Sequence, residues 1–173
     1  MKEKIAIILG SKSDLKQCIL GLKHLKRHPE FEVEIYIRSQ HRNTLSLQKL
    51  LVELSEQGVK TIIAGAGWAN HLTGCTDAFL RYELKNDFTR VIGVAFEDKN
   101  NEKHTQAAIL SITEVPGTQV IFQDGDVFFI GTMGFFHACE LATSKKDNLP
   151  AIKIPEPKPA ENLSLDEAME LAK

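Results

Sequence analysis

Three short stretches of this sequence set hydroxyl, imidazole, guanidinium and carboxylate groups close together. The first is Ser39-Gln40-His41-Arg42. Histidine can take or give a proton near neutral pH. Arginine offers a planar fork of donors suited to phosphate. A solvated turn with a surface histidine is the other reading of this stretch alone. The second is Gly10-Ser11-Lys12-Ser13-Asp14. Gly10 lets the backbone turn closely. Ser11 and Ser13 can cap a helix and present hydroxyls, and free N–H groups at a helix start attract phosphate. Asp14 is an acceptor that could hold sugar hydroxyls, but its charge has the wrong sign for phosphate. Plain helix capping accounts for the same residues. The stretch is neither a Walker loop nor a dinucleotide fingerprint, because no Gly-Lys-Ser/Thr follows and the second and third glycines are missing. The third stretch runs from Gly65 to Gly74. Its small residues, Gly67 among them, allow the backbone to approach a planar ligand. His71 could donate a hydrogen bond to a carboxylate or cap the next helix. A strand-end turn whose glycines relieve backbone strain fits equally.

The elements around these stretches decide where they lie. Lys4 to Leu9 is a continuous branched apolar run, as in a central parallel strand. Leu15, Cys18, Ile19, Leu22 and Leu25 then recur at helical spacing up to about His28. Val33 to Ile37 alternates apolar and polar residues as a half-buried strand does. Leu47, Leu50, Leu51 and Leu54 mark a helix face that ends near Gly58. Thr61 to Ala64 is a third strand, followed by the glycine-rich loop and a helix through Ala78, Phe79, Tyr82 and Leu84. Arg90 to Phe96 is a fourth strand, and Thr105 to Thr113 a helix. Gln119 to Gln123 and Val127 to Ile130 are strand-like, with Asp124-Gly125 between them as a hairpin signal. The parallel pattern favours only the second as a fifth sheet strand. A helix from about Gly134 to Ser144 follows. Strand and helix thus alternate as in a doubly wound α/β domain with a mainly parallel sheet. In such sheets ligands bind beyond the carboxyl ends of the strands, where all three stretches fall. Pro150, Pro155, Pro157 and Pro159 then interrupt regular structure. Ser164-Leu165-Asp166-Glu167 fits a capping box opening a short final helix. The division expected is an α/β domain over 1–147 and a C-terminal arm with a short helix over 148–173.

The chain has 173 residues, 43% hydrophobic and 25% charged, enough for one domain with a real core. A net charge of −2 gives no global attraction to nucleic acid or an anionic membrane. Lys23, Lys26 and Arg27 read as a solvated helix face. The apolar run Ile5 to Leu9 is too short for a signal-peptide core or a membrane span, so a cytoplasmic protein is expected. Cys18, Cys75 and Cys139 are scattered, which argues against a disulfide framework or a zinc site and for buried thiols.

Side by side, the turns resemble the PurE family of purine biosynthesis. That family carries G-S-x-S-D, S-A-H-R-T-P and A-G-A-G-x-A-A-H-L-P-G at successive turns, and later L-S-I-x-x-M-P-G. Here the turns are Gly10 to Asp14, Ser39 to Thr44 and Ala64 to Gly74, and the later segment is Leu110 to Gly117. Order and spacing agree over roughly Ile5 to Ala142. The resemblance implies a flavodoxin-like three-layer sandwich with a five-stranded sheet, and a homo-octamer with active sites near subunit contacts. It implies an aminoimidazole ribonucleotide as the small-molecule substrate, with no metal or organic cofactor. By that resemblance Ser11, Asp14 and Arg42 hold the ribose and its 5′-phosphate, assisted by Ser13 and Ser39. Gly10, Gln40 and Gly67 complete the substrate-binding set. His41 matches the proton-transfer histidine, and His71 the histidine beside the carboxylate. His71 with Arg42 points to the mutase branch, which takes a ready-made carbamate, rather than the branch that takes free carbon dioxide.

The chain also departs from the pattern in its site-forming loops. Gln40 replaces Ala, Asn43-Thr44 replaces Thr-Pro, Trp68 stands at a small position, Asn70 replaces Ala and Thr73 replaces Pro. After the fourth strand Glu97 and Asp98 could repel a substrate carboxylate. Met133, Phe135, Phe136 and His137 bring bulk to a helix start that is small in the family. Three readings follow: a mutase with remodelled loops, a non-catalytic or repurposed nucleotide-binding homologue, or a carboxylase of another heterocycle.

Overall fold

Alternate residues of the first strand enter different cores. In β1 (Glu3–Leu9), Ile5, Ile7 and Leu9 join one hydrophobic cluster and Ala6 and Ile8 the other. A parallel strand covered on both faces must be built this way. The structure, a computed structural model, describes residues 2–144 and 149–173. Its main sheet contains β2 (Phe31–Ile37), β1, β3 (Thr61–Ala66) and β4 (Arg90–Ala95) in that order, all parallel. The first core is closed by α1 (Leu15–Leu25), α4 (Glu102–Thr113) and α5 (Gly131–Thr143), through Cys18, Leu25, Ala108, Ile112, Phe135 and Cys139. The second is closed by α2 (Thr44–Glu56) and α3 (His71–Ala78), through Leu47, Leu50, Leu51, Leu54 and Leu72. No helix among the described residues is long and apolar enough to cross a membrane.

The chain leaves β1 in one direction to reach β2 and in the other to reach β3, so the strand order reverses between β1 and β3. The crevice beyond such a reversal is where open α/β sheets bind ligands. It is narrow at its base. Gly10 N donates to Gly65 O at 3.0 Å, and a Cβ on Gly10 would lie 2.9 Å from the Ala66 Cβ. Any larger residue would push the first turn off the third strand.

Several expectations need correction. The sheet has four strands among the described residues, not five. Beside β4 the chain makes two isolated parallel bridges, Ile121 to Ile92 and Ile130 to Ala95. Between them β5 (Gln123–Asp124) and β6 (Val127–Phe128) form an antiparallel hairpin. More chain separates Ile121 from Ile130 than separates their partners, and the surplus is looped out around Asp124-Gly125. The hairpin signal was therefore real, and it breaks the strand expected there. The third helix begins at His71, so the loop is shorter than the Gly65 to Gly74 stretch. Helices α4 and α5 begin earlier than their periodicity suggested, at Glu102 and Gly131, and α1 ends earlier, at Leu25. Cys75 is exposed, unlike Cys18 and Cys139, and all three are free thiols.

After α3 the chain continues as a wider helical turn over Phe79–Glu83. Arg81 within it is buried, with its Nε 3.1 Å from Asp77 Oδ1 and further bonds to the carbonyls of Asn86 and Thr89 at 2.5 Å. Asp77 Oδ2 also accepts from Gln119 N at 2.8 Å, tying α3 to the segment beside β4. The Gln119 side chain in turn brackets Lys153, donating to its O at 2.6 Å and accepting from its N at 2.7 Å. The boundary expected at 147/148 lies outside the described residues. The last helix, α6 (Leu165–Leu171), opens on Ser164 with the expected capping box, and its residues are exposed.

Candidate active site

The first turn is closed by its own side chains. Ser11 Oγ accepts from Ser13 N at 3.3 Å and from the Ser13 hydroxyl at 2.9 Å, while Ser11 N donates to Asp14 Oδ2 at 2.9 Å. This reciprocal box caps a tight helical turn over Lys12–Asp14. Capping and ligand binding are therefore compatible here, because the capping groups face the crevice. Burial raises the Asp14 carboxyl to about 6, against the lowering effect of the Ser11 N–H, the Arg42 charge and the Ser13 hydroxyl.

The second turn is held by Ser39 and Asn43. Ser39 is buried. Its N donates to Asn43 Oδ1 at 3.1 Å and its Oγ accepts from Arg42 N at 3.4 Å. Ser39 is thus spent mainly on shaping the turn. The Thr44 hydroxyl donates to Gln40 O. Arg42 reaches across to the first turn, where its Nη2 donates to Gly10 O at 3.0 Å. One guanidinium nitrogen serves the scaffold, and the exposed remainder of the fork is available to an anion.

The third turn rests on a buried amide. Asn70, fully buried, donates from Nδ2 to Val94 O at 2.9 Å, and its Oδ1 caps α3 by accepting from Thr73 N at 3.3 Å. The Thr73 hydroxyl lies between that oxygen, at 3.0 Å, and Ala64 O, at 3.1 Å. This lock places His71 at the first position of α3. There its Nδ1 is 2.8 Å from His41 Nε2, with the rings edge to face at 5.0 Å. One nitrogen must donate and the other accept, so the two imidazoles hold a proton between them.

These turns open onto a cavity of about 760 Å³. Gly10, Ser11, Ser13, Asp14, Ser39, Gln40, His41, Arg42 and Gly67 all line it. His71 does not, and it meets the cavity only through His41. The opposite wall is Phe96, Glu97, Asp98, Lys99 and Asn100, with Trp68 beside them. Of the two acidic side chains of that wall, one is hydrogen-bonded and the other is packed against a helix start. Asp98 accepts from His104 Nδ1 at 2.7 Å, a bond that holds its carboxyl below the usual carboxylate range. Glu97 lies against Gly131, whose added Cβ would fall 2.1 Å from Glu97 Oε2. That sets a carboxylate at the N-terminus of α5, where the helix dipole favours it.

Residues 4–122 match the family described as AIR carboxylase. The chain belongs to the AIR carboxylase family. All four turn motifs lie inside the matched span, which ends at the base of the hairpin that interrupts the expected fifth strand. Among relatives, the N5-carboxyaminoimidazole ribonucleotide mutase of Aliivibrio fischeri is 30% identical over 155 residues, which cover 87% of this chain and 88% of that protein. The mutase of the same name from Vibrio vulnificus is 42% identical over 76 residues, 44% of this chain and 47% of that one. The phosphoribosylaminoimidazole carboxylase of Ogataea methanolica is 40% identical over 79 residues, 44% of this chain but 14% of that longer protein. Solved structures of Treponema denticola PurE2 and PurE superpose with TM-scores of 0.61 and 0.57 at 20% and 22% identity, each over 82% of this chain and 78% of theirs. They show that the fold is shared.

Within the AIR carboxylase family pattern, the departures at Asn70 and Thr73 have a structural account. Together they build the buried lock that caps α3, where the family motif has alanine and proline. Sequence reasoning missed Gln17, whose amide brackets the backbone of Glu97, donating to its O at 2.9 Å and accepting from its N at 3.0 Å. It also missed His104. Nothing in the local pattern of α1 or α4 marks these two, because Glu97, the partner of Gln17, and Trp68, the ring that His104 supports, lie far from them in the chain.

Proposed function

We propose that this protein is an N5-carboxyaminoimidazole ribonucleotide mutase of purine biosynthesis. The observation that carries the reading is one cavity lined by two kinds of chemistry. Hydroxyls, the Asp14 carboxylate and the Arg42 guanidinium line it together with His41, whose imidazole is paired with that of His71. The long match to the mutase of Aliivibrio fischeri supports it. Serine hydroxyls and Arg42 suit a 5′-phosphate, and Asp14 suits ribose hydroxyls.

In the reaction the N–C bond of the carbamate breaks and carbon dioxide departs. The electron pair stays on nitrogen, which takes a proton from His41. Carbon dioxide then bonds to the neighbouring ring carbon, and the proton of that carbon returns to His41. His71, on the far side of His41, keeps the pair supplied with a shared proton. The walls orient the ring and exclude water while carbon dioxide is free. We assign the enzyme to the cytoplasm and to a homo-octamer. The exposed apolar residues Ile19, Leu20, Met133, Leu165 and Met169 support assembly.

The test is conversion of the carbamate of aminoimidazole ribonucleotide to the ring-carboxylated product, followed by ultraviolet absorbance at low bicarbonate. A parallel reaction supplies aminoimidazole ribonucleotide and bicarbonate. Turnover of the carbamate supports the mutase. Turnover only at high bicarbonate replaces it with a direct carboxylase. Folded protein inactive in both reactions sinks the reading.

A further inference from the structure

Trp68 is the only tryptophan of the chain, and its backbone is strained. Its φ of +57° lies in the left-handed region, where a side chain crowds its own carbonyl. Such outliers persist only where the surroundings hold them, and they gather at ligand sites. Here the support is an imidazole. The indole lies on the ring of His104 with centroids 3.8 Å apart and planes 22° from parallel. That imidazole is itself fixed. Its Nδ1 donates to Asp98 Oδ2 at 2.7 Å, and its Nε2 faces the Asn101 amide nitrogen at 3.1 Å. The amide cannot be turned over, because Asn101 Oδ1 already accepts from Lys103 N at 3.1 Å. An amide NH₂ only donates, so Nε2 accepts and the network assigns the neutral tautomer with its proton at Nδ1.

The result is a flat plate with a backing. One face of the indole rests on a neutral, oriented ring. Trp68 nevertheless stays 64% exposed and lines the cavity, to which His104 contributes nothing. Its uncovered surface is therefore turned toward whatever the cavity holds. We propose that Trp68 is a stacking platform for the planar heterocycle of a bound ribonucleotide, and so the residue by which this site selects a flat aromatic base. The proposal rests on the reading of the cavity as a ribonucleotide site. It makes Trp68 a positioning and specificity residue, with no part in proton transfer.

The test uses the full chain and three probes: 5-aminoimidazole ribonucleotide, AMP and ribose 5-phosphate. Because Trp68 is the sole tryptophan, its emission reports the platform directly. Both heterocyclic nucleotides should shift the emission saturably, while ribose 5-phosphate should bind with little shift. Trp68→Gly suits the left-handed backbone and keeps the turn. By calorimetry it should weaken both nucleotides about tenfold, the usual yield of one base stacked on an aromatic ring. Ribose 5-phosphate should weaken by less than about twofold. Equal weakening of all three probes, or no weakening of the nucleotides, overturns the platform. If the carbamate of aminoimidazole ribonucleotide is converted while Trp68→Gly binds aminoimidazole ribonucleotide normally, the mutase reading stands and the platform falls. If AMP shows the full pattern while aminoimidazole ribonucleotide does not bind and its carbamate is not converted, the platform stands and the mutase reading falls. Binding of none of the three removes both.

Discussion

Asp14 makes the part of the cavity proposed to hold ribose sensitive to pH in a direction that can be worked out. Its carboxyl is raised to about 6, chiefly by burial. If it accepts ribose hydroxyls, only the ionised form does so with both oxygens. With that pKa the ionised fraction is roughly nine-tenths at pH 7 and one-tenth at pH 5, and apparent affinity scales with the competent fraction. Affinity should therefore fall about tenfold between pH 7 and pH 5. A suitable ligand is ribose 5-sulfate, whose own charge is constant over this range. Calorimetric titrations across the range would compare the wild type with Asp14→Asn. The quantity to read is the ratio of the two proteins, in which pH effects common to both cancel. That ratio should grow about tenfold with rising pH. A ratio independent of pH would refute the role given to Asp14. Stability moves the other way. The folded state holds this proton more tightly than a carboxyl of ordinary pKa 3.8 does. The stabilisation is complete below about pH 4 and is lost as pH rises through about 6. At full strength the shift corresponds to about 3 kcal/mol. Solvent reaching this half-buried group screens it to on the order of 1 kcal/mol. Asp14→Asn should accordingly melt about 2–4 °C above the wild type at pH 8 and lose the advantage at pH 4.

Other consequences are as direct. His41→Asn should lower turnover by about 10²–10⁴ while leaving aminoimidazole ribonucleotide affinity within about threefold, and an active variant would remove His41 from the chemistry. Asn70→Ala loses a helix cap and a buried hydrogen bond to Val94 O, and should cost about 2–4 kcal/mol in guanidinium unfolding; a loss below about 1 kcal/mol would show that the lock is incidental. Arg81→Met leaves Asp77 buried beside no cation and should cost about 3–5 kcal/mol in urea. Adding Asp77→Asn to it should recover part of that loss, and strict additivity of the two changes would contradict a coupled pair.

The sequence was most legible where structure is local. The β1 run, the leucine face of α2, the helix cap at Ser11 and the capping box at Ser164 depend on neighbours a few residues away, and the structure has them all. Gly74 misled because glycine serves two purposes. In sequence it reads as the end of a loop, yet it lies inside α3, where an added Cβ would meet Val115 Cγ2 at 3.2 Å. It permits packing there, not turning. The fifth strand was misjudged for a related reason. Asp124-Gly125 specifies a tight reversal whatever the flanking pattern prefers. The site residues were legible as three separate turns. Their meeting was not, since the contact of His41 with His71 and the stack of Trp68 on His104 require the strand order. Glu97 and Asp98 were legible as acidic groups facing the site, and both line the cavity; the contact of Glu97 with Gly131, far along the chain, was not legible.

The two histidines are carried by supports of unequal depth. His71 follows Asn70, whose amide is anchored on a carbonyl of β4, so exposing the backbone of that turn means opening the sheet. His41 sits in a turn closed by Ser39 and Asn43, tied to its neighbours by exposed side chains, Arg42 to Gly10 O and His41 itself to His71. Amide exchange in the third turn should therefore follow the slow, global opening of the domain, and exchange around His41 a faster and local one. The cavity then has a fixed jaw and a yielding one. The two imidazoles therefore meet across the boundary between a slow-opening and a fast-opening part of the domain.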